Sequence, residues 1–75
     1  MQPRTVSQLR KGETGIIKSF TDRDMSLKLL EMGCLPGSEV RLDAIAPLGD
    51  PICINVSGQY SLSLRLNEAS VIELE

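Results

Sequence analysis

Two thiols, two short groups of carboxylates and one apolar stripe are the features of this sequence from which chemistry or recognition could be built. Cys34 and Cys53 are its only cysteines, and it contains no histidine. Histidine is the commonest general base near neutral pH and the commonest metal-ligating side chain. A structural zinc site takes four Cys or His ligands, which this chain does not supply. Cys34 and Cys53 therefore read as small apolar side chains, one following a helix and one on a strand. No Gly-x-Ser-x-Gly elbow, Walker A loop, Gly-x-Gly-x-x-Gly fingerprint or Cys-x-x-Cys pair occurs. The chain reads as a non-enzyme with no catalytic, cofactor-binding or metal-ligating residues to name.

Asp22 and Asp24 form one acidic group, and Glu73 and Glu75 another on one face of the last strand. A hard cation needs several oxygen ligands at once, whereas aspartates before an apolar period are helix caps. Capping is the reading taken for Asp22 and Asp24. The apolar stripe is Met25, Leu29 and Met32, spaced i, i+4, i+7, with Leu30 beside it. Leu27 and Leu30 cannot both align with that stripe. Either the helix is buried on a wide face, or some apolar surface is left for a partner. A proline-rich ligand would need aromatic walls, and only Phe20 and Tyr60 are aromatic.

The elements that must position these residues are short. Residues 5–10 suit one helical turn with Val6 and Leu9 inward. Thr14 to Phe20 reads as a first strand, in which Gly15 marks a bulge or a close backbone approach. A helix is predicted over 23–32. Thr21 and Asp24 have capping-box spacing, with Asp22 or Asp24 as alternative caps, and Gly33 sits at the C-terminal left-handed position. Pro36-Gly37 is a type II turn. A second strand follows at 38–46, with Val40, Leu42 and Ala44 on the dry face. Pro47 to Pro51 breaks it. Residues 52–56 and Tyr60 to Leu64 form a hairpin about Ser57-Gly58-Gln59. Residues 65–69 suit a short turn or 3₁₀ segment, and Val71 to Leu74 is a closing strand. The fold class is mostly β: about five strands and one inserted short helix in a small closed barrel, SH3-like first and OB-type second.

At 75 residues the chain has room for one domain, 1–75. Such a domain buries only about 60% of its unfolded surface. Two cysteines allow at most one disulfide, which fits a reducing compartment. The polar start, Met1 to Thr5, does not read as a signal peptide, and no apolar run approaches the roughly 20 residues of a membrane span. A cytoplasmic protein without direct membrane insertion is expected. The net charge of −2 is interspersed, and with one Tyr, one Phe and no Trp the chain does not read as a nucleic-acid binder.

Three segments resemble one family. Leu29-Leu30-Glu31-Met32-Gly33-Cys34-Leu35-Pro36-Gly37-Ser38 resembles the helix-end and turn motif of the FeoA family, the small A proteins of bacterial ferrous iron transport. Ala46-Pro47-Leu48-Gly49-Asp50-Pro51-Ile52 is similar to its central motif. Leu64-Arg65-Leu66-Asn67-Glu68-Ala69, followed by Val71-Ile72-Glu73-Leu74, is similar to its closing pattern, and Leu9, Gly12, Gly15 and Ile17 fit its opening one. The resemblance covers nearly the whole chain in order. It implies an SH3-like barrel with an inserted helix, a module shared with the C-terminal domain of diphtheria-toxin-repressor-type regulators. A free-standing chain and an excised domain of a fusion are both compatible with it.

What the resemblance implies for function is an accessory protein acting on FeoB, a membrane GTPase that moves Fe²⁺. The contact expected is the helix and the following turn: Leu29, Met32, Gly33, Leu35, Pro36 and Gly37, with core as the alternative role for Leu29. No cofactor is evident; an association with Fe²⁺ is implied by the family alone. The alternative function is a metal-responsive module that binds a transition-metal ion directly. Self-association through barrel edges is a third, and the oligomeric state is open.

Overall fold

A computed structural model describes residues 4–75. The opening Met1-Gln2-Pro3, part of the polar start, lies outside the described residues. A 3₁₀ turn at Val6–Gln8 precedes β1 (Thr14–Phe20), α1 (Arg23–Glu31), β2 (Glu39–Ile45), β3 (Ile52–Val56), β4 (Tyr60–Leu64), α2 (Leu66–Ala69) and β5 (Ile72–Leu74). The strands form one antiparallel sheet in the order β4-β3-β2-β1-β5. Buried side chains from all five strands, the 3₁₀ turn and α1 belong to a single core cluster. One sheet can gather its inner face into one cluster only by curling, which gives the expected SH3-like barrel. No helix among the described residues is long and apolar enough to cross a membrane.

Two bulges produce the curl. Ile17 pairs with Leu74 and Ser19 with Glu73, so Lys18 is extra in β1. Leu42 pairs with Ile54 and Ala44 with Cys53, so Asp43 is extra in β2. An extra residue bends its strand and shifts the alternation by one. This corrects the expectation for Ala44: it faces Cys53 on the wet side and is exposed, while Val40 and Leu42 stay buried. Gly15 is not a bulge. A Cβ there would stand 2.8 Å from Leu74 Cδ1, so the close approach is made by a side chain and not by backbone.

The sheet is not closed by a β4–β5 ladder. On the β5 side, Leu74 N–H donates to the Arg4 carbonyl at 2.8 Å, and Thr5 bridges Glu73. On the β4 side two side-chain contacts join the helices to each other and to the strand. Lys28 on α1 pairs with Glu68 on α2 at 2.7 Å, just beyond the end of β4. The Tyr60 hydroxyl, at the start of β4, donates to the Gly33 carbonyl just beyond α1 at 2.7 Å.

The local signals for α1 act as read, with one refinement. Asp22 is the cap: its Oδ1 accepts the Met25 N–H at 2.9 Å. Thr21 does not form the capping box; its N–H goes to the Val71 carbonyl, tying the helix start to the approach of β5. Residues 65–69, expected as a turn or 3₁₀ segment, contain one α-helical turn. Pro36-Gly37 behaves as predicted. Ser38 N–H donates to the Leu35 carbonyl at 3.0 Å, and Gly37 has φ +92°, as a type II turn requires.

Glu68 is 8% exposed and holds two bonds, to Lys28 and to the Arg65 N–H at 2.9 Å. The Lys28 hydrogen bond, then the Arg65 N–H, keep its carboxyl below the ordinary value of 4.5. A carboxyl lowered in the folded state stabilises fully above the unfolded value and stops doing so as pH falls through the folded one. Thermal midpoints should therefore fall below pH 4.5, and Lys28→Met should flatten that fall while costing about 1 kcal/mol at pH 7. Equal pH slopes for both proteins would refute the pairing. Leu29 is fully buried, and Leu29→Ala should cost about 3 kcal/mol in urea denaturation.

Candidate functional site

The helix end is built by a reciprocal pair of backbone bonds. Gly33 N–H donates to the Leu30 carbonyl at 3.0 Å, and Cys34 N–H to the Leu29 carbonyl at 2.9 Å. This is a Schellman motif, which needs a left-handed residue where Gly33 has φ +99°. Leu29 and Cys34, at its two ends, are both fully buried in the core cluster. Chain direction then reverses through the Leu35–Ser38 turn. Gly37 N–H donates to the Ile17 carbonyl at 2.8 Å, and Ile17 N–H to the Ser38 carbonyl at 2.9 Å, fixing the turn to β1.

The expected contact residues fall into two groups. Leu29 is at 0% exposure, so of its two expected roles the structure gives it the core. Met32 and Gly33 are half-buried. Leu35 is 52% exposed, and Pro36 and Gly37 beside it are also exposed. Leu27 and Leu30 are exposed as well, at 63% and 37%. Successive helix residues are about 100° apart, so these two share one edge of α1 while Leu29, Met25 and Met32 point inward. The helix thus has a dry side and a second, smaller apolar edge facing water.

Tyr60 begins β4. Its hydroxyl reaches the Gly33 carbonyl, and its ring remains exposed at the rim. A lone tyrosine beginning a strand carries no sequence signal for that bond. Leu48, in the Pro47–Pro51 break, is 97% exposed. The angular misfit of Leu27 and Leu30 with the Met25 stripe was the one legible sign of an apolar edge.

The two thiols differ in burial. Both cysteines are free, and Cys34 is buried. Burial first, and the Glu68 charge second, push the Cys34 thiol above its ordinary value. A thiol in that state is a poor nucleophile and a poor soft ligand. No group of three or more His, Cys, Asp or Glu able to hold a metal ion is present among the described residues.

The FeoA domain family matches residues 4–75. A curated relative, the Fe(2+) transport protein A/Fe(2+) transporter FeoB fusion protein of Porphyromonas gingivalis, is 34% identical over 71 residues, covering 93% of this chain and 8% of the fusion. The solution structure of iron(II) transport protein A from Clostridium thermocellum matches with TM-score 0.86 and 37% identity, over 96% of this chain and 44% of that one. The crystal structure of Stenotrophomonas maltophilia FeoA complexed with zinc, a procaryotic SH3 domain protein, matches with TM-score 0.80 and 27% identity, over 96% and 89%. This chain therefore spans a small part of the fusion and under half of the Clostridium chain. Histidine is absent from the present sequence, and one of its two thiols is buried.

Gly33 gives this region a direct test. A Cβ there would lie 2.1 Å from the Tyr60 hydroxyl at a left-handed φ, whereas at Gly37 nothing lies within 4 Å. Gly33→Ala should destabilise by about 3 kcal/mol and Gly37→Ala by about 1 kcal/mol. The Gly33→Ala loss should shrink in a Tyr60→Phe background, because the clashing oxygen is gone. Additive losses in that double-mutant cycle would mean the two residues do not touch.

Proposed function

The chain belongs to the FeoA family, and from that premise we propose that it is a non-catalytic, cytoplasmic accessory protein of bacterial ferrous iron transport that docks on the cytoplasmic GTPase region of a FeoB-type transporter. The observation that carries this reading is the fusion relative, which joins a segment like this chain to a FeoB transporter in one polypeptide. Modules fused in one chain work at high effective concentration, and the same pair as separate chains needs a docking surface. Ferrous iron is then the cargo of the partner and needs no site on this chain.

The helix-end region suits that role. Leu30 and Leu35 with Pro36 and Gly37 present exposed apolar surface, with Leu27 along the same helix edge and Met32 and Gly33 at its margin. Leu29 holds this surface from beneath and does not touch the partner. Two bonds to β1 and one to Tyr60 fix its shape before any partner arrives, which lowers the entropy lost on binding. The absence of histidine and of a nucleophile motif supports a role by contact, not by turnover.

Titration of detergent-solubilised, full-length FeoB-type transporter from the same organism tests the reading in nucleotide-free, GDP-bound and GTP-analogue-bound states. Leu30→Asp and Leu35→Asp should each weaken binding about tenfold or more while leaving the thermal midpoint near that of the parent. No association of the unaltered chain in any nucleotide state would end the docking proposal.

A further inference from the structure

The order β4-β3-β2-β1-β5 makes β4 and β5 the two edge strands of the sheet. The chain occupies the β5 edge itself: Leu74 N–H donates to the Arg4 carbonyl at 2.8 Å, and Thr5 bridges Glu73. Nothing equivalent borders β4. It runs beside β3 alone, and among the described residues no main-chain group of Tyr60–Leu64 bonds outside the β3 ladder. In an antiparallel edge strand every second residue turns its N–H and C=O away from the sheet. Exposed edges are ordinarily blunted by a charge, a proline or a bulge. Tyr60-Ser61-Leu62-Ser63-Leu64 carries no charge and no proline, and it pairs with β3 in continuous register. Ser61 and Ser63 are exposed and Leu62 is half-buried. The bond from Tyr60 to Gly33 engages the side chain and leaves the main chain of the strand unused.

We propose that β4 is a self-association strand: two copies of this chain join edge to edge, antiparallel, about a two-fold axis through Leu62. The inference stands on the sheet edge and does not depend on the docking reading. What an unused ladder accepts is another extended strand, because its alternating N–H and C=O groups are matched by the same alternation. The residues of β4 select a second copy as the source. A two-fold contact sets a strand against itself in reverse. This strand reads nearly the same in both directions, Tyr-Ser-Leu-Ser-Leu against Leu-Ser-Leu-Ser-Tyr. Centred on Leu62, the register sets Ser61 opposite Ser63 of the second copy at two symmetric places. Leu62 then meets Leu62, and Tyr60 meets Leu64. Serine lies beside serine on one face and apolar beside apolar on the other. Just past the strand, Arg65 falls opposite Gln59, a donor against an acceptor, so no like charges oppose. A slip of one residue would set the serines of one copy against the leucines of the other. Oligomerisation is also a common source of stability for a domain with so small a core.

Sedimentation of the full chain across a concentration series tests this without the transporter, and the unaltered chain should show a monomer–dimer equilibrium. Ser61→Lys with Ser63→Lys brings like charges together across the axis and should weaken dimerisation about tenfold or more. Ser61→Lys with Ser63→Glu brings opposite charges together and should keep dimerisation within about threefold of the parent or tighten it. Both serines face water, so both variants should keep the parental thermal midpoint at concentrations where the chain is monomeric. A single monomeric species at every concentration overturns the proposal. A dimer unmoved by the like-charged variant also overturns it, because the contact then lies elsewhere. Equal weakening by both variants overturns the Leu62-centred register and the proposal with it. A monomeric chain whose affinity for the full-length transporter falls in the like-charged variant gives the edge to a strand of the transporter, and that too overturns the second copy. The docking reading is decided separately, by the Leu30→Asp and Leu35→Asp titrations.

Discussion

The seating of Leu29 is the contact on which the rest of this small structure depends. It is the one fully buried side chain of α1, and its carbonyl accepts the Cys34 N–H where the chain leaves the helix. A domain of this length has little core to spare, so one leucine is a large share of what holds the helix. With Leu29 in place, the Schellman bonds fix the chain's exit, the type II turn returns it to β2, and the helix lies where Lys28 and Gly33 reach their partners. The tie between the end of α1 and β4 through Gly33 and Tyr60, and the shape of the exposed helix edge, both follow from that single insertion.

The barrel imposes a second constraint through its bulges. Lys18 and Asp43 each add a residue without a partner, and each turns the strand so that one sheet encloses one core. The same shifts decide which apolar residues are left outside. Ala44 moves to the wet face, and Ile45 ends at the rim beside the β2–β3 turn. Exposed apolar surface is therefore gathered at two structured places, the helix end and the turn tip, and both are held by backbone bonds.

This distribution agrees with a protein that works by contact. The one deeply buried acid, Glu68, is paired with Lys28 and with backbone, and the buried thiol is held protonated by its surroundings. No buried side-chain polar atom among the described residues lacks a partner. What remains distinctive is exposed apolar side chains at the helix end and at the β2–β3 turn, both held in place by backbone bonds.

The sequence by itself determined the elements and their order. Val6, Leu9, Ile17, Val40 and Leu42 point inward because their spacing matches the period of a turn or strand, and Gly33 and Gly37 take positive φ because only glycine does so without a Cβ clash. These are local properties, set within a few residues. Which of Asp22, Thr21 or Asp24 caps α1, where the bulges fall, that Tyr60 reaches Gly33, and that Leu29 is core while Leu30, Leu35 and Leu48 face water were decided only by the tertiary structure. Each of these depends on which distant segment arrives opposite a residue. The apolar character of the candidate site was legible in the sequence; its exposure was not, because a leucine is defined as surface or core only by what packs over it.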